Sequence, residues 1–406
     1  MAVEADPWHT LVAELLDRSH LWRPEDLGGV LDRAAAPLGL RMTVWVADAE
    51  QRSLRALAVP GRATPAPLPI DSHAAGSAFA MVESVVADGR RWVPMVNGTD
   101  RIGVLEVEAP GQTARDESLA RPCETLAGLV GHLITTSLPR GDSLHLARRS
   151  GPMTAGAELL WQLLPPLTVS VADFTVAAVL EPAYDVGGDA FDYTVDGRRP
   201  QFIVLDAAGR GLRAGLAAAV ALSCIRATRR SGGDLPAQAR AADGELLRQF
   251  PDARFVTAVL AELDLDTGVL RYLNAGHPPP LVLRAGAVVE TLTDGRRLPL
   301  GIADPRASCG EVTLRPGDRL VLYTDGVTEA RDAAGEQFGQ NRLADTVERH
   351  AVGLPVPETL RRLSHTILAH QSGPPTDDLT LLLVEWSAGA ARRTVPPTSR
   401  ADERQE

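Results

Sequence analysis

Gly187-Gly188-Asp189-Ala190-Phe191-Asp192, a turn, and then Phe202-Ile203-Val204-Leu205-Asp206-Ala207-Ala208-Gly209-Arg210-Gly211 carry the most definite chemistry in this sequence. Asp196-Gly197 is a turn signal between two apolar runs and predicts a β-hairpin. The midpoint between Asp189 and Asp206 falls between Gly197 and Arg198, inside that turn. A hairpin closed there sets the two aspartates opposite each other, with Cβ atoms roughly 4.5–5.5 Å apart. Carboxylates that close repel by about 4 kcal/mol at an effective dielectric near 20, so protons or a cation must neutralise them. Glycines on both sides let backbone approach the same spot. The stretch reads as half of a metal site.

The rest of the composition narrows the choices. A chain of 406 residues is long enough for two domains, each with its own core. A formal charge of −11 argues against a nucleic-acid partner, which needs a basic face. No apolar run approaches the roughly 18 residues of a membrane span, and residues 1–10 are acidic, unlike a signal peptide. Cys123, Cys224 and Cys309 are scattered without metal-ligand spacing, which points to a reduced, cytoplasmic compartment. There is no lysine anywhere, so a P-loop lysine and Schiff-base chemistry are excluded.

Residues 8–138 read as one small unit. Leu11, Leu15 and Leu16, then Leu27, Val30, Leu31 and Ala34, recur at helical spacing. Strands are expected at 42–46 and 54–59. Asn97-Gly98 joins two more, at 92–96 and 102–108, by the strongest short hairpin signal, and a helix closes the unit over 116–137. A helix, a set of strands with a loop-rich middle and a returning helix resemble a GAF sensory domain. That resemblance rests on element order alone. Residues 139–166 are expected to be a linker and a connecting helix: 139–152 is polar, and Met153, Ala157, Leu160, Trp161 and Leu164 then share one helical face up to Pro165-Pro166. That helix either packs on the next domain or joins sensor to effector, where it could pair with a second copy as a homodimer. The two readings are compatible.

From 167 to 387 short strands dominate, at 175–181, 201–205, 255–263, 269–273, 281–284, 288–292, 319–324 and 379–385. Helices are expected at 212–230, 236–250, 341–350 and 356–370. Hairpin connections at Asp264–Gly268 and Arg284–Gly286 make the sheets largely antiparallel. The expected class is α+β, with two mainly antiparallel sheets flanked by helices. The tail, 388–406, lacks apolar periodicity and is expected to be disordered.

Acids at strand ends recur in this region. Tyr323-Thr324-Asp325-Gly326 and Asp377-Asp378-Leu379-Thr380 join Asp189 and Asp206. All-oxygen ligands suit Mg²⁺ or Mn²⁺, and the absence of accompanying Cys or His counts against zinc. These motifs occur in order with Asn274-Ala275-Gly276-His277-Pro278-Pro279 and Leu298-Pro299-Leu300-Gly301. Together they resemble the SpoIIE/RsbU-type branch of the 2C-like metal-dependent protein serine/threonine phosphatases, over roughly residues 159–385.

The resemblance implies an α/β sandwich with a two-metal centre between the sheets, binding Mn²⁺ or Mg²⁺. It gives Asp189 and Asp206 the catalytic and metal-holding roles, with Asp206 bridging and the Ala207 carbonyl contributing. Asp325 and Asp377 complete the second metal, and Asp378 stands as an outer partner. Relatives carry Gly-His-Gly where this chain has Gly209-Arg210-Gly211, so Arg210 is a candidate phosphate contact, against the plainer reading of a solvent-exposed loop arginine. His277 is expected to shape a loop and not to bind metal. The implied substrate is a phosphorylated regulatory protein, an anti-sigma-factor antagonist, under control of an unknown ligand or partner at the GAF-like unit. Two alternatives stay open: a phosphatase-like regulator that binds without turnover, and a hydrolase of small phosphate esters.

Overall fold

The computed structural model describes residues 6–109, 116–182, 184–185, 187–250, 255–304, 308–351, 353–373, 375 and 377–397. Thr376 and the end of the tail, 398–406, lie outside the described residues. The chain divides into two compact units, one of Met1–Ser150 with Arg392–Glu406 and one of Gly151–Ala391. Among the described residues no helix is long and apolar enough to cross a membrane.

The first unit is built on β1 (Arg41–Ala47), β2 (Ser53–Ala56), β3 (Leu68–Pro69), β4 (Val85–Ala87), β5 (Arg90–Asn97) and β6 (Asp100–Glu108). They form one sheet in the order β3-β2-β1-β6-β5-β4. Alternation along β1 divides its side chains between two faces. Met42, Val44 and Val46 pack with helices Pro7–Ser19, Leu27–Ala35 and Ala120–Ser137. Trp45 and Ala47 pack with Phe79 of helix Ala74–Met81 and with Trp92. Asn97 pairs with Asp100 across the predicted turn, where Gly98 takes φ +59°. The polar segment after residue 138 is not an open linker. Leu138–Arg140 and Ser143–Ala147 are helical, and Leu144 is buried in the first unit's core. Arg140 adds hydrogen bonds to the carbonyls of Ser19, His20 and Trp22, and Ala147 packs against the same core.

The second unit stacks two sheets. Its strands begin with β7 (Thr168–Val171), β8 (Phe174–Glu181), β9 (Asp189–Thr194), β10 (Gln201–Ala207), β11 (Val256–Leu263) and β12 (Val269–Ala275). There follow β13 (Leu281–Arg284), β14 (Ala287–Thr291), β15 (Arg296–Arg297), β16 (Gly310–Thr313), β17 (Arg319–Tyr323) and β18 (Leu379–Trp386). One sheet runs β15-β12-β11-β10-β9 with β16 also on β12, and the other runs β14-β13-β17-β18-β8-β7. Among the described residues, β12–β15 is the one parallel pair of named strands. The fold is α+β, with largely antiparallel sheets.

Burial follows position in the sheet. β8, β17 and β18 are central and buried along their whole length, whereas edge strand β14 is mostly exposed or half-buried. Between the sheets lie Phe174, Val176, Phe191, Phe202, Val204, Val259, Leu320, Leu322, Leu382 and Val384. Outside the first sheet, helices Ala155–Leu163, Leu212–Arg230 and Leu235–Gln249 cover Ile203, Leu205 and Ala258. Outside the second, Gly339–His350 and Val356–His370 cover Val321, Tyr323 and Leu381. Leu160 of Ala155–Leu163 is fully buried, so the connecting helix packs on this unit. The start of the tail is ordered: Ala390–Arg393 forms a 3₁₀ turn, with Ala390 buried.

Candidate metal centre

The site follows from strand parity. Side chains two apart share a face, so the rows that fill the sandwich can be followed to the strand ends. Phe202 and Val204 lead to Asp206, and Phe191 leads back to Asp189. In the other sheet Leu320 and Leu322 lead to Thr324, and Val384 and Leu382 lead back to Thr380 and Asp378. Apolar residues fill the middle of the sandwich and oxygen-bearing ones gather at its end. Register places Asp206 directly opposite Asp189, about the turn that holds Gly197 at φ +66°.

The two sheets are tied together at this end. Thr324 Oγ1 donates to Asp189 Oδ2 at 2.8 Å, and Thr380 N donates to Thr324 Oγ1 at 2.9 Å. Asp378 Oδ2 accepts from the backbone amides of Gly187 and Gly188 at 2.7 Å each and from Asp189 at 3.3 Å. One carboxylate thus holds the loop that delivers Asp189. Gly326 permits the close packing beside it, since a Cβ there would lie 2.0 Å from the Asp378 carbonyl oxygen and 3.4 Å from Asp377 Cβ. At Gly188 a Cβ would lie 2.6 Å from the Ala207 carbonyl oxygen.

Five aspartates therefore sit in one another's field. Burial holds Asp189 well above the usual carboxylate range, and Asp206 and Asp378 add to the effect. Asp206 is raised to about 7, first by burial and then by Asp325, Asp377 and Asp378. Asp325 is raised by burial, then by Asp377 and Glu329. Asp378 is raised by burial against the pull of the three amides it accepts from. Arg210 Nη2 lies 3.6 Å from Asp377, but both side chains are more than half exposed, so water screens the pair.

Charge and donor chemistry fit a hard divalent cation: every side-chain donor is an oxygen, and among the described residues the cluster has no buried counter-charge of its own. Among the described residues no three His, Cys, Asp or Glu side chains are drawn together tightly enough to hold an ion as they stand. Mutual repulsion works against such closure, and a cation would supply the attraction.

Other residues frame the site. His277 is buried, with Nδ1 2.7 Å from Thr257 Oγ1. Asn274 Oδ1 accepts from His277 N at 2.8 Å, and Asn274 Nδ2 donates to the His277 carbonyl at 2.9 Å. Asp192 lies outside the cluster, paired with Arg226 at 2.7 Å and Arg229 at 2.8 Å. Thr324, Thr257 and Glu329 escaped the sequence reading. Strand parity from Leu320 and Leu322 would have found Thr324.

The stretch 196–387 matches the family model of Stage II sporulation protein E (SpoIIE). Asp206, Asp325 and Asp377 fall inside that stretch and Asp189 just before it. The chain is similar to Protein IcfG of Synechocystis sp., 26% identical over 56% of this chain and 40% of that protein. It is also similar to phosphoserine phosphatase RsbU of Bacillus subtilis, 25% identical over 52% of this chain and 62% of that protein. Among solved structures, the RsbU and RsbW domains of Rv1364c from Mycobacterium tuberculosis align with a TM-score of 0.49 at 26% identity, over 55% of this chain and 62% of that one. The matched part spans only about half the length of these curated relatives. Over residues 196–387, the chain is thus similar to the SpoIIE family.

Proposed function

We propose that the second unit is a metal-dependent protein serine/threonine phosphatase. The observation that carries this reading is the gathering of Asp189, Asp206, Asp325 and Asp377 at one end of the sandwich, in a field that raises the affinity of Asp206 for a positive charge. Two divalent cations, Mn²⁺ or Mg²⁺, held by these four side chains and the Ala207 carbonyl, would supply hydroxide near neutral pH and hold the phosphoryl oxygens for in-line attack. The chain's own residues do the positioning. Thr324 orients Asp189, Asp378 fixes the loop of Gly187 and Gly188, and exposed Arg210 is free to turn from Asp377 toward a phosphoryl group.

Similarity to RsbU, a phosphoserine phosphatase by name, supports a phosphorylated serine as the group attacked, and we take its carrier to be a regulatory protein, an anti-sigma-factor antagonist. The first unit is then a GAF-like sensor whose ligand or partner adjusts that activity. Two other readings use the same acids: a phosphatase-like regulator that binds without turnover, and a hydrolase of small phosphate esters. Hydrolysis of an aryl phosphate and of a phosphoserine protein, each with Mn²⁺, separates the readings. Metal-dependent release of phosphate from the protein is expected. Release from the aryl ester alone would make the chain a small-ester hydrolase. Bound metal with no turnover of either would make it the regulator.

A further inference from the structure

The Asn-Ala-Gly-His-Pro segment is a singled-out motif that the proposed chemistry leaves unused. His277 at its centre is only 5% exposed. Burial pushes its imidazole down to about 3, so the ring is neutral at any working pH. Thr257, its Nδ1 partner, is the cross-strand neighbour of Asp206 and lies in the same face row as Val259 and Ala261. On the far side of the ring, the Tyr323 backbone is close enough to favour the charged form, yet Nε2 makes no hydrogen bond of good geometry. Tyr323 ends β17, and Thr324 and Asp325 follow at once. The imidazole therefore stands between the strand pair that carries Asp206 and the strand end that carries Thr324 and Asp325. The two bonds from Asn274 fix the backbone that places it, and Gly276, at φ +70°, lies where a Cβ would be 2.7 Å from Pro299 Cγ.

We propose that His277 is a positioning residue: acting through Thr257 on one side and the end of β17 on the other, it sets the spacing between the acids of the two sheets. The proposal deepens the metal-dependent reading and rests on it. The ring thus bonds Thr257 on one side and meets the Tyr323 backbone, at looser geometry, on the other, and a buried polar group placed in this way is costly to leave unsatisfied.

The test compares the full chain with His277→Phe, which keeps the buried volume and removes both ring nitrogens. His277→Asn retains a polar atom near the Nδ1 position, and Thr257→Val removes only the hydroxyl. Mn²⁺ affinity is read by calorimetry, which needs no turnover, and folding is read by urea denaturation in EDTA. Groups that orient metal ligands typically contribute about 10–100-fold in affinity. His277→Phe and Thr257→Val should each weaken Mn²⁺ binding about tenfold or more, the double variant should add little, and His277→Asn should restore part of the loss. Folded His277→Phe or Thr257→Val protein with wild-type Mn²⁺ affinity would overturn the proposal. Wild-type protein that binds Mn²⁺ but hydrolyses no phosphoester would overturn the phosphatase reading alone. Wild-type protein that binds no Mn²⁺ would overturn both.

Discussion

Replacing Asp206 by Asn should stabilise the metal-free protein at pH 8, an unusual outcome for a change at a buried position. Asp206 ionises at about 7 in the folded chain against an ordinary 3.8. The folded state therefore binds this proton more tightly than the unfolded state does. Its contribution to stability is intact below pH 4 and is lost as pH rises from about 4 to about 7. At about 1.4 kcal/mol per pH unit the penalty above pH 7 approaches about 4 kcal/mol. Relaxation and entry of water reduce this, so a gain of about 2 kcal/mol is expected for Asp206→Asn. Its amide also supplies a neutral donor to Asp189. Urea denaturation of the full chain in EDTA at pH 4 and pH 8 measures the difference, which should be near zero at pH 4. Adding Mn²⁺ at a hundred times its dissociation constant should stabilise wild type by about 2.7 kcal/mol and the variant far less. A variant less stable than wild type in EDTA at pH 8, or one that Mn²⁺ stabilises equally, would refute the reasoning.

Further predictions follow from the same geometry. Gly326→Ala drives a methyl group into the Asp378 carbonyl; it should cost about 1–3 kcal/mol and weaken Mn²⁺ binding measured by calorimetry. Asp378→Ala releases three backbone amides and should cost about 1–3 kcal/mol in urea denaturation, whereas Asp378→Asn, which keeps an acceptor oxygen, should cost less. Asp192→Ala strands Arg226 and Arg229 and should cost about 3–5 kcal/mol, with Mn²⁺ affinity unchanged in protein that remains folded. Arg210→Ala should lower kcat/KM on a phosphoserine protein about fivefold; an unchanged value would leave Arg210 as a solvated loop residue.

Much of the second unit was legible because its signals are local. Asp196-Gly197 and the apolar runs beside it marked the pairing of Asp189 with Asp206, and the connection expected at Arg284–Gly286 is a turn that the structure closes by pairing Arg284 with Ala287. Short elements without a repeating pattern escaped. β7, β16 and helix Asp325–Glu329 each hold only four or five residues, too few for periodicity to register. The ties between sheets were harder to see. Asp378 grips amides about 190 positions away, and Thr324 reaches Asp189 across 135 positions. No window along the chain contains both ends of such a contact, so these partners emerge only once the sandwich is built. The segment after residue 138 failed for the opposite reason, because its polar composition hid its few apolar anchors, Leu144 and Ala147.

Anomalous scattering from a crystal of the full chain grown with Mn²⁺ tests the central claim most directly. The account predicts manganese peaks at the end of the sandwich, ringed by the carboxylates of Asp189, Asp206, Asp325 and Asp377, with Asp378 still on the amides of Gly187 and Gly188. Peaks elsewhere, or four carboxylates left without metal at saturating Mn²⁺, would contradict it.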